Sequence, residues 1–588
     1  MDACLPWSYG EYSHRARTAP TIHNEPVGTF LSDLDLSRLR PRLLDVLRDG
    51  YSAGHLTSDI VAGLTVGLVA LPLAMAFGIA SGTTPEAGLY TAIVGGFLVS
   101  VLGGSRVQIG GPTGAFVVIV ASIIAEHGTS GLLMVTMMAG AILVGLAVTG
   151  LGTAVKFIPR PILIGFTNGI AILIASTQIK DALGLTMATV PSEFLARMEA
   201  YWQALPTTQM PAVALTAVSL AVILGVPKLI PRVPGAIVAL IAGTAASMLM
   251  PGMVETVGSR FGGIPSGLPT FAIPQFRADL ILPLLPAALT VALLSAVESL
   301  LSATVADRMT GEIHNPHAEL LGQGVANMLV PMVGGIPVTG AIARTATNVR
   351  AGAVSPVSGL VHAVTLLAVI MVAAPLARHI PMATLAAVLF VVAWNMGEWF
   401  EIPGVVRLGK TDRAVWLVTI ALTVFADLTV AVEVGMALAA LLYVYRVSET
   451  SSVSIVTPEY ILEGEQHSLQ LQDVPPYVSI LRIHGPFLFG TTDKLGLATR
   501  DLTPLQAIVI VRLRNMTAID ATGLYALETL ADRLKASGRH LLLCGAHDQP
   551  AKMLHQANFV HHIGADNITP SVQHALRRAR DIHAEPAA

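Results

Sequence analysis

The sequence predicts a polytopic α-helical membrane protein that ends in a small α/β domain. Three observations predict it. Charged residues make up 12% of the chain against 53% hydrophobic, with a mean hydropathy of +0.67; an ordinary soluble chain carries about 25% charged residues. Between Asp59 and Arg446 apolar runs follow one another almost without a break, divided by Gly, Pro and isolated charges. After Arg446 the composition turns polar, and from Tyr477 strand-like and helix-like stretches alternate.

Residues 1–57 read as a hydrophilic arm without the early apolar run of a secretory signal. Within it, Leu34, Leu36, Leu39, Leu43, Leu44 and Leu47 recur at a helical period and predict a short amphipathic helix over 31–47. Fourteen apolar segments follow, at 59–80, 85–103, 112–126, 131–150, 158–179, 208–226, 235–250, 281–305, 318–333, 340–350, 357–375, 381–396, 414–426 and 428–446. An even number of crossings puts both ends on one side. With the N-terminus inside, Arg106, Lys156, Arg160, Lys228, Arg232, Arg308, Arg350, Arg407, Lys410 and Arg413 fall in inner loops. The sparser outer set is Lys180, Arg197, Arg260, Arg277 and Arg378, so the Lys/Arg bias predicts cytoplasmic termini. Cys4 and Cys544 are too few and too far apart for a disulfide framework.

Several of the segments are shorter than the ~20 residues a crossing helix needs. Of these, 112–126 and 340–350 are the shortest in their neighbourhoods, and each follows a glycine- and proline-rich stretch. The stretches read almost alike: Gly110-Gly111-Pro112-Thr113-Gly114-Ala115 and Gly334-Gly335-Ile336-Pro337-Val338-Thr339-Gly340-Ala341. Interrupted segments at matching places in two halves of a membrane chain mark a transporter's binding site. A helix that begins inside the bilayer aims free N–H groups and its positive dipole end into the protein. Helices starting near Thr113 and Ala341 would together make an anion site, with Thr113, Gly114, Ala115, Gly340, Ala341, Ile342 and Ala343 around it.

Arg344 falls in the first turn of the second short helix, where it would add a full positive charge. Glu298 lies mid-segment among Leu293, Leu294, Val297, Leu300 and Leu301, with no Lys or Arg within four residues. Two readings stand for it: a partner of Arg344, or a buried carboxyl that takes up a proton. Phe77 either caps the site with its ring edge or packs. Asp307, Arg308, His314, His317 and Glu319 cluster at the inner ends of two segments and read as a solvated loop, the two histidines lacking further ligands at zinc spacing.

For the C-terminal part we expect strands at 478–484, 507–512, 540–544 and 559–563, and helices at 492–502, 523–537, 548–557 and 571–582. The expected organisation is an arm (1–57), a transport domain (58–446), a linker with at most one strand (447–475) and the α/β domain (476–585). Neither a Walker loop, a dinucleotide fingerprint nor a triad context is present, which argues against a primary pump and against an enzyme.

Pro85-Glu86-Ala87-Gly88-Leu89-Tyr90-Thr91-Ala92, followed by Gly103-Gly104-Ser105-Arg106, resembles the SulP anion permease family, which includes the animal sulfate/chloride exchangers and prestin. The likeness continues through Gly111-Pro112-Thr113-Gly114, Glu298-Ser299-Leu300-Leu301-Ser302, Leu321-Gly322-Gln323-Gly324-Val325-Ala326-Asn327 and Arg344-Thr345. The C-terminal domain resembles the STAS domain of that family, with Ile519-Asp520-Ala521-Thr522-Gly523-Leu524 as its key loop. The resemblance implies a seven-plus-seven inverted repeat in which a core domain slides against a dimer-forming gate. It implies secondary active transport of a small anion, of the sulfate, bicarbonate or dicarboxylate class, without an organic cofactor. Arg344 would serve the anion site, and Glu298 would handle the coupling ion with Ser302 one turn on. The longer Glu suits a proton; bicarbonate members with an aspartate there use sodium. Thr522 matches a position phosphorylated in bacterial anti-sigma antagonists, which makes it a candidate regulatory site for a cytoplasmic partner; the plainer reading is an N-cap. An uncoupled anion channel is the alternative function; a nucleobase permease and a membrane sensor fit less well.

Overall fold

The computed structural model describes residues 36–585 apart from 151, 153–158, 188–189, 192, 231–233, 250, 264–268, 275–276, 408, 427–433, 435–436, 439–440, 443, 447 and 457–473. The chain divides into two compact units, Met1–Ala431 and Val432–Ala588. Most of the fourteenth predicted segment and most of the linker lie outside the described residues.

In the first unit each of the other thirteen segments holds a helix. They run α1 (Arg42–Asp49), α2 (Ala53–Ala80), α3 (Pro85–Tyr90), α4 (Gly96–Leu102), α5 (Ala115–Thr149), α6 (Arg160–Leu183), α7 (Phe194–Ala204), α8 (Met210–Leu229), α9 (Gly235–Leu249), α10 (Val257–Phe261), α11 (Ile281–Thr310), α12 (Pro316–Leu329), α13 (Ile342–Arg350), α14 (Val357–Ala377), α15 (Met382–Met396), α16 (Ile402–Arg407) and α17 (Lys410–Phe425). Eight spans among the described residues are long and apolar enough to cross a membrane, α3 and α4 counting as one. Between those two lies a π-helical turn, Thr91–Gly95.

The helices form two packing groups. In one, α2 packs on α14, α5 on α11 and α12, and α13 on α11; in the other, α6 packs on α15 and α17, and α8 on α9 and α15. The two short segments end as expected, for different reasons. Helix α5 is broken at Gly128, whose backbone (φ 67°, ψ −177°) leaves the helical region, so its first half stops there. Helix α13 has nine residues and ends at the turn Ala351–Gly352.

The amphipathic helix predicted over 31–47 is shorter. A 3₁₀ turn covers Leu36–Leu39 and α1 begins only at Arg42, behind Pro41. The proline's ring fixes φ and removes a donor, so the two pieces cannot merge.

The second unit is a five-stranded sheet in the order β3–β4–β5–β6–β7, where β3 is Ser452–Val456, β4 Val478–Phe487, β5 Ile508–Ile519, β6 His540–Cys544 and β7 Ile568–Thr569. β4 to β7 are parallel and β3 adds antiparallel at the edge. Alternation sends Leu481, Ile483, Val509, Val511 and Leu543 to one face, where α19 (Ala521–Ala536) covers them with Leu527, Leu530 and Leu534. Ile480, Ile510, Leu542 and Cys544 face the other side, against Ala575, Leu576 and Ala579 of the closing helix α22 (Val572–Ala584). α18 (Thr492–Ala498) stops four residues earlier than expected, where Thr499 bonds back to Leu495. The expected strand at 559–563 is a helical turn, α21 (Val560–Ile563), which follows α20 (Asp548–Gln556). Phe559, fully buried, plugs the core there, and the strand forms five residues later as β7.

Candidate functional site

The two glycine-rich stretches meet. Gly110–Gly111 forms β1 and Thr339–Gly340 forms β2, paired antiparallel with Gly110 opposite Gly340 and Gly111 opposite Thr339. β1 leads into α5, whose N-cap is Gly114, and β2 leads into α13, whose N-cap is Ala341. Only the end of the second stretch takes part in the pairing. Gly110–Gly111 faces Thr339–Gly340, while Gly334–Gly335 closes the 3₁₀ turn after α12.

Helix α11 runs beside this crossing and fastens it with hydroxyls. Thr339 Oγ1 lies 2.8 Å from Ser299 Oγ and donates to the Ser295 carbonyl; Ser299 Oγ also accepts from the Gly340 N–H. Ser302 Oγ donates to Thr345 Oγ1 at 3.1 Å, which in turn accepts from the Ile109 N–H. Thr113 Oγ1 donates to Glu298 Oε2 at 2.7 Å. Ser302 is thus tied to the start of α13, while Glu298 is tied to the start of α5.

Arg344 is buried, and its Nη2 donates to the Pro112 carbonyl at 2.5 Å. Its Nη1 is equally buried and has no hydrogen-bond partner. The guanidinium lies against Gly111, where any Cβ would collide with it. Glu298 takes its direct hydrogen bond from Thr113 and makes no contact ion pair with Arg344, but the two charges lie near enough to act on each other, so both readings of Glu298 stand. Ala115 and Ala341 are buried, and Ile342 and Ala343 open the first turn of α13 to the accessible surface. Phe77 is buried with its ring edge toward Gly114: a Cβ there would sit 3.4 Å from Phe77 Cε1 and 2.8 Å from Ile174 Cδ1.

Sequence reasoning missed the polar side chains that hold this frame. Glu319, read as part of a solvated loop, is fully buried in α12. Its carboxylate accepts from the Gly104 and Ser105 N–H groups at 2.9 and 3.2 Å and from Gln108 and Gln323 amides at 3.0 Å each. Of that cluster, His314 Nδ1 lies 2.6 Å from Asp307 Oδ2, and Arg308 is exposed. Among the described residues no three His, Cys, Asp or Glu side chains converge as a metal site would need. Asn327 pairs with both backbone groups of Val338, and Thr91 with both of Ile336, so the approach to β2 is hydrogen-bonded by side chains in place of a strand. Asp59, also buried, accepts from the Val354 and Ser355 N–H groups and from Tyr51. Burial and that Asp59 bond push the Tyr51 phenol up to about 12. A polar residue inside an apolar run was the available signal for Thr91 and Asn327; nothing in the sequence told which backbone each would serve.

In the α/β domain the cap of α19 is Asp520, which accepts from the Gly523 and Phe489 N–H groups. Thr522 is therefore not the N-cap; it is exposed in the first turn.

The profile of the sulfate permease family matches residues 56–419, and that of the STAS domain matches 471–575. A putative sulfate transporter of Bacillus subtilis, YvdB, is 41% identical over 517 residues, covering 88% of this chain and 96% of its own. The bicarbonate transporter BicA of Picosynechococcus is 29% identical over 540 residues, covering 89% and 95%. Among solved structures, the transmembrane domain of a cyanobacterial BicA superposes with a TM-score of 0.60 at 32% identity, over 65% of this chain and 98% of that one. SLC26A9 superposes with a TM-score of 0.81 over 92% and 93%, at 18% identity, which speaks for the fold alone. The chain belongs to the sulfate permease family and is a multi-pass helical membrane protein with a C-terminal STAS domain.

Proposed function

We propose that the protein is a secondary active transporter of a small inorganic or carboxylate anion, of the sulfate, bicarbonate or dicarboxylate class, coupled to protons in symport. One observation carries the reading: Arg344 is buried with a free Nη1 at the point where two helix N-termini meet across β1 and β2. Each helix end contributes about half a positive charge, and Arg344 adds one. An anion at Thr113, Gly114, Ala341 and Arg344 would be held by these without a metal. Glu298, bonded to Thr113 and without a contact ion pair, is the proton carrier in this reading. Ser302 serves indirectly, by positioning Thr345.

The α2–α5 and α11–α14 group is the moving core and the α6–α9, α15–α17 group the gate through which two copies pair. The termini face the cytoplasm across a plasma membrane, and Thr522 is offered to a cytoplasmic regulator. A sodium-coupled bicarbonate transporter is the second reading; the relatives named as bicarbonate transporters favour its substrate.

Counterflow in proteoliposomes with a panel of labelled anions tests the substrate class. Uphill accumulation driven by a pH gradient without sodium supports symport; accumulation only with a sodium gradient supports the second reading. Flux that never exceeds equilibrium would mean an uncoupled channel.

A further inference from the structure

The start of α5 is covered by side chains from the other packing group. The Phe116 and Val117 N–H groups turn back to the Thr113 and Gly114 carbonyls at 3.3 and 3.1 Å, so α5 can meet an anion at Gly114 and Ala115. A Cβ at Gly114 would stand 2.6 Å from Met396 Sδ and 2.8 Å from Ile174 Cδ1. Met396 ends α15 and Ile174 lies in α6, and these two helices pack on each other. With Phe77 of α2 they form a wall that carries no hydrogen-bond donor.

A methionine side chain is flexible and would ordinarily yield to a ligand. Here its backbone is pinned. The next carbonyl, that of Gly397, accepts from Asn168 Nδ2, and Asn168 Oδ1 accepts from Trp416 Nε1 at 2.9 Å. Asn168 is fully buried and sits on the same helix as Ile174. One residue further, Glu398 has a left-handed backbone (φ 45°), which a residue other than glycine keeps only where its surroundings hold it. Helix α15 therefore stops at a fixed corner with Met396 as its last helical residue.

We propose that Met396 sets the length of anion the site accepts, closing it from the side opposite Arg344 against four-carbon dicarboxylates. The inference rests on the transport reading above and narrows its substrate to sulfate, bicarbonate or a carboxylate of one or two carbons. A succinate held by one carboxylate at Gly114 and Arg344 would press its second carboxylate against Met396 and Ile174. That charge would leave water with no donor facing it, and burying an unpaired charge is costly.

The test is counterflow into proteoliposomes of the purified full chain, with labelled sulfate, bicarbonate, oxalate and succinate. The wild type should move at least one of the first three, and succinate at least about tenfold more slowly, the lower end of what an ill-fitting group costs in a pocket. Met396→Ala should raise succinate relative to the fastest of the others by about fivefold or more. Met396→Leu, which conserves volume, should keep the wild-type ratio. A merely structural role would lower all four rates together and leave the ratio unmoved. Ile174→Val shortens the same wall from α6 and should shift the ratio in the same direction, which keeps the test open if Met396→Ala does not fold. A wild type that moves succinate as fast as the others, or a folded Met396→Ala with an unchanged ratio, would overturn the proposal and leave the transport reading standing. No counterflow of any of the four by the wild type would overturn the transport reading and the proposal with it.

Discussion

Thr113 and Glu298 are joined by a 2.7 Å hydrogen bond that spans 185 positions of sequence and ties the start of α5 to the middle of α11. The hydroxyl is the donor and the carboxylate the acceptor, so the pair links the proposed anion end of a helix dipole to the proposed proton carrier. Glu298→Gln should abolish pH-driven accumulation while anion binding persists. Thr113→Val should slow uptake by roughly 10–100-fold, the loss of one hydrogen bond to a charged group being worth about 1.5–3 kcal/mol. Uptake in proteoliposomes with and without a pH gradient reads both. A Glu298→Gln protein that still concentrates its anion would remove Glu298 from the coupling.

Arg344 adds charge and shape together. Arg344→Ala should weaken anion binding by roughly 10–100-fold, the range expected for a charge-assisted hydrogen bond. Arg344→Lys should weaken it less, since the charge survives and the planar fork does not. Gly114→Leu should block the site sterically, because Met396, Ile174 and Phe77 leave no room for a side chain there. Calorimetric titration of the three purified variants measures this; unchanged affinity in both Arg344→Ala and Gly114→Leu would place the anion elsewhere.

Glu319 predicts stability. Its loss leaves two backbone N–H groups and two amides without their acceptor. With each buried unsatisfied donor costing about 1–3 kcal/mol, Glu319→Ala should cost several kcal/mol, and Glu319→Gln less, because one acceptor oxygen remains. Detergent-solubilised protein followed by fluorescence-detected size exclusion during heating would show the order Glu319→Ala, Glu319→Gln, wild type. Equal midpoints would mean the loop Gly104–Ser105 is held some other way.

Cys544 predicts a silent thiol. Burial on the α22 face of the sheet pushes it up to about 12, and only the thiolate reacts with alkylating agents. In a Cys4→Ser background, maleimide at pH 7.5 should leave the native protein unlabelled and label it once after denaturation. Rapid native labelling would show that the helix α22 opens readily.

Much of the membrane unit was legible because glycine, proline and lone charges interrupt apolar runs visibly. The starts of the two short helices fall within two residues of Thr113 and Ala341, and Arg344 drew notice as an isolated cation. The pairing of β1 with β2 was not legible, since a two-residue strand has no periodicity. Glu319 was misread because a carboxylate that serves backbone N–H groups carries the same letter as one that faces water. In the α/β domain, Phe559 and Val560 carried strand propensity into a helical turn, where Phe559 fills the core instead.

The pairing of β1 with β2 also sets a timetable for biosynthesis. Thr339 follows Gly111 by 228 residues, so at about 5–20 residues per second the first strand emerges on the order of 10–50 s before its partner. During that interval the Gly110–Gly111 backbone has no ladder, and open strand edges do not persist in contact with lipid. The first half must therefore wait in a sheltered state, at the insertion machinery or folded around water, until the second half arrives. Premature release should be the characteristic failure of this chain, and an amino-terminal fragment ending before β2 should be a target for membrane proteases.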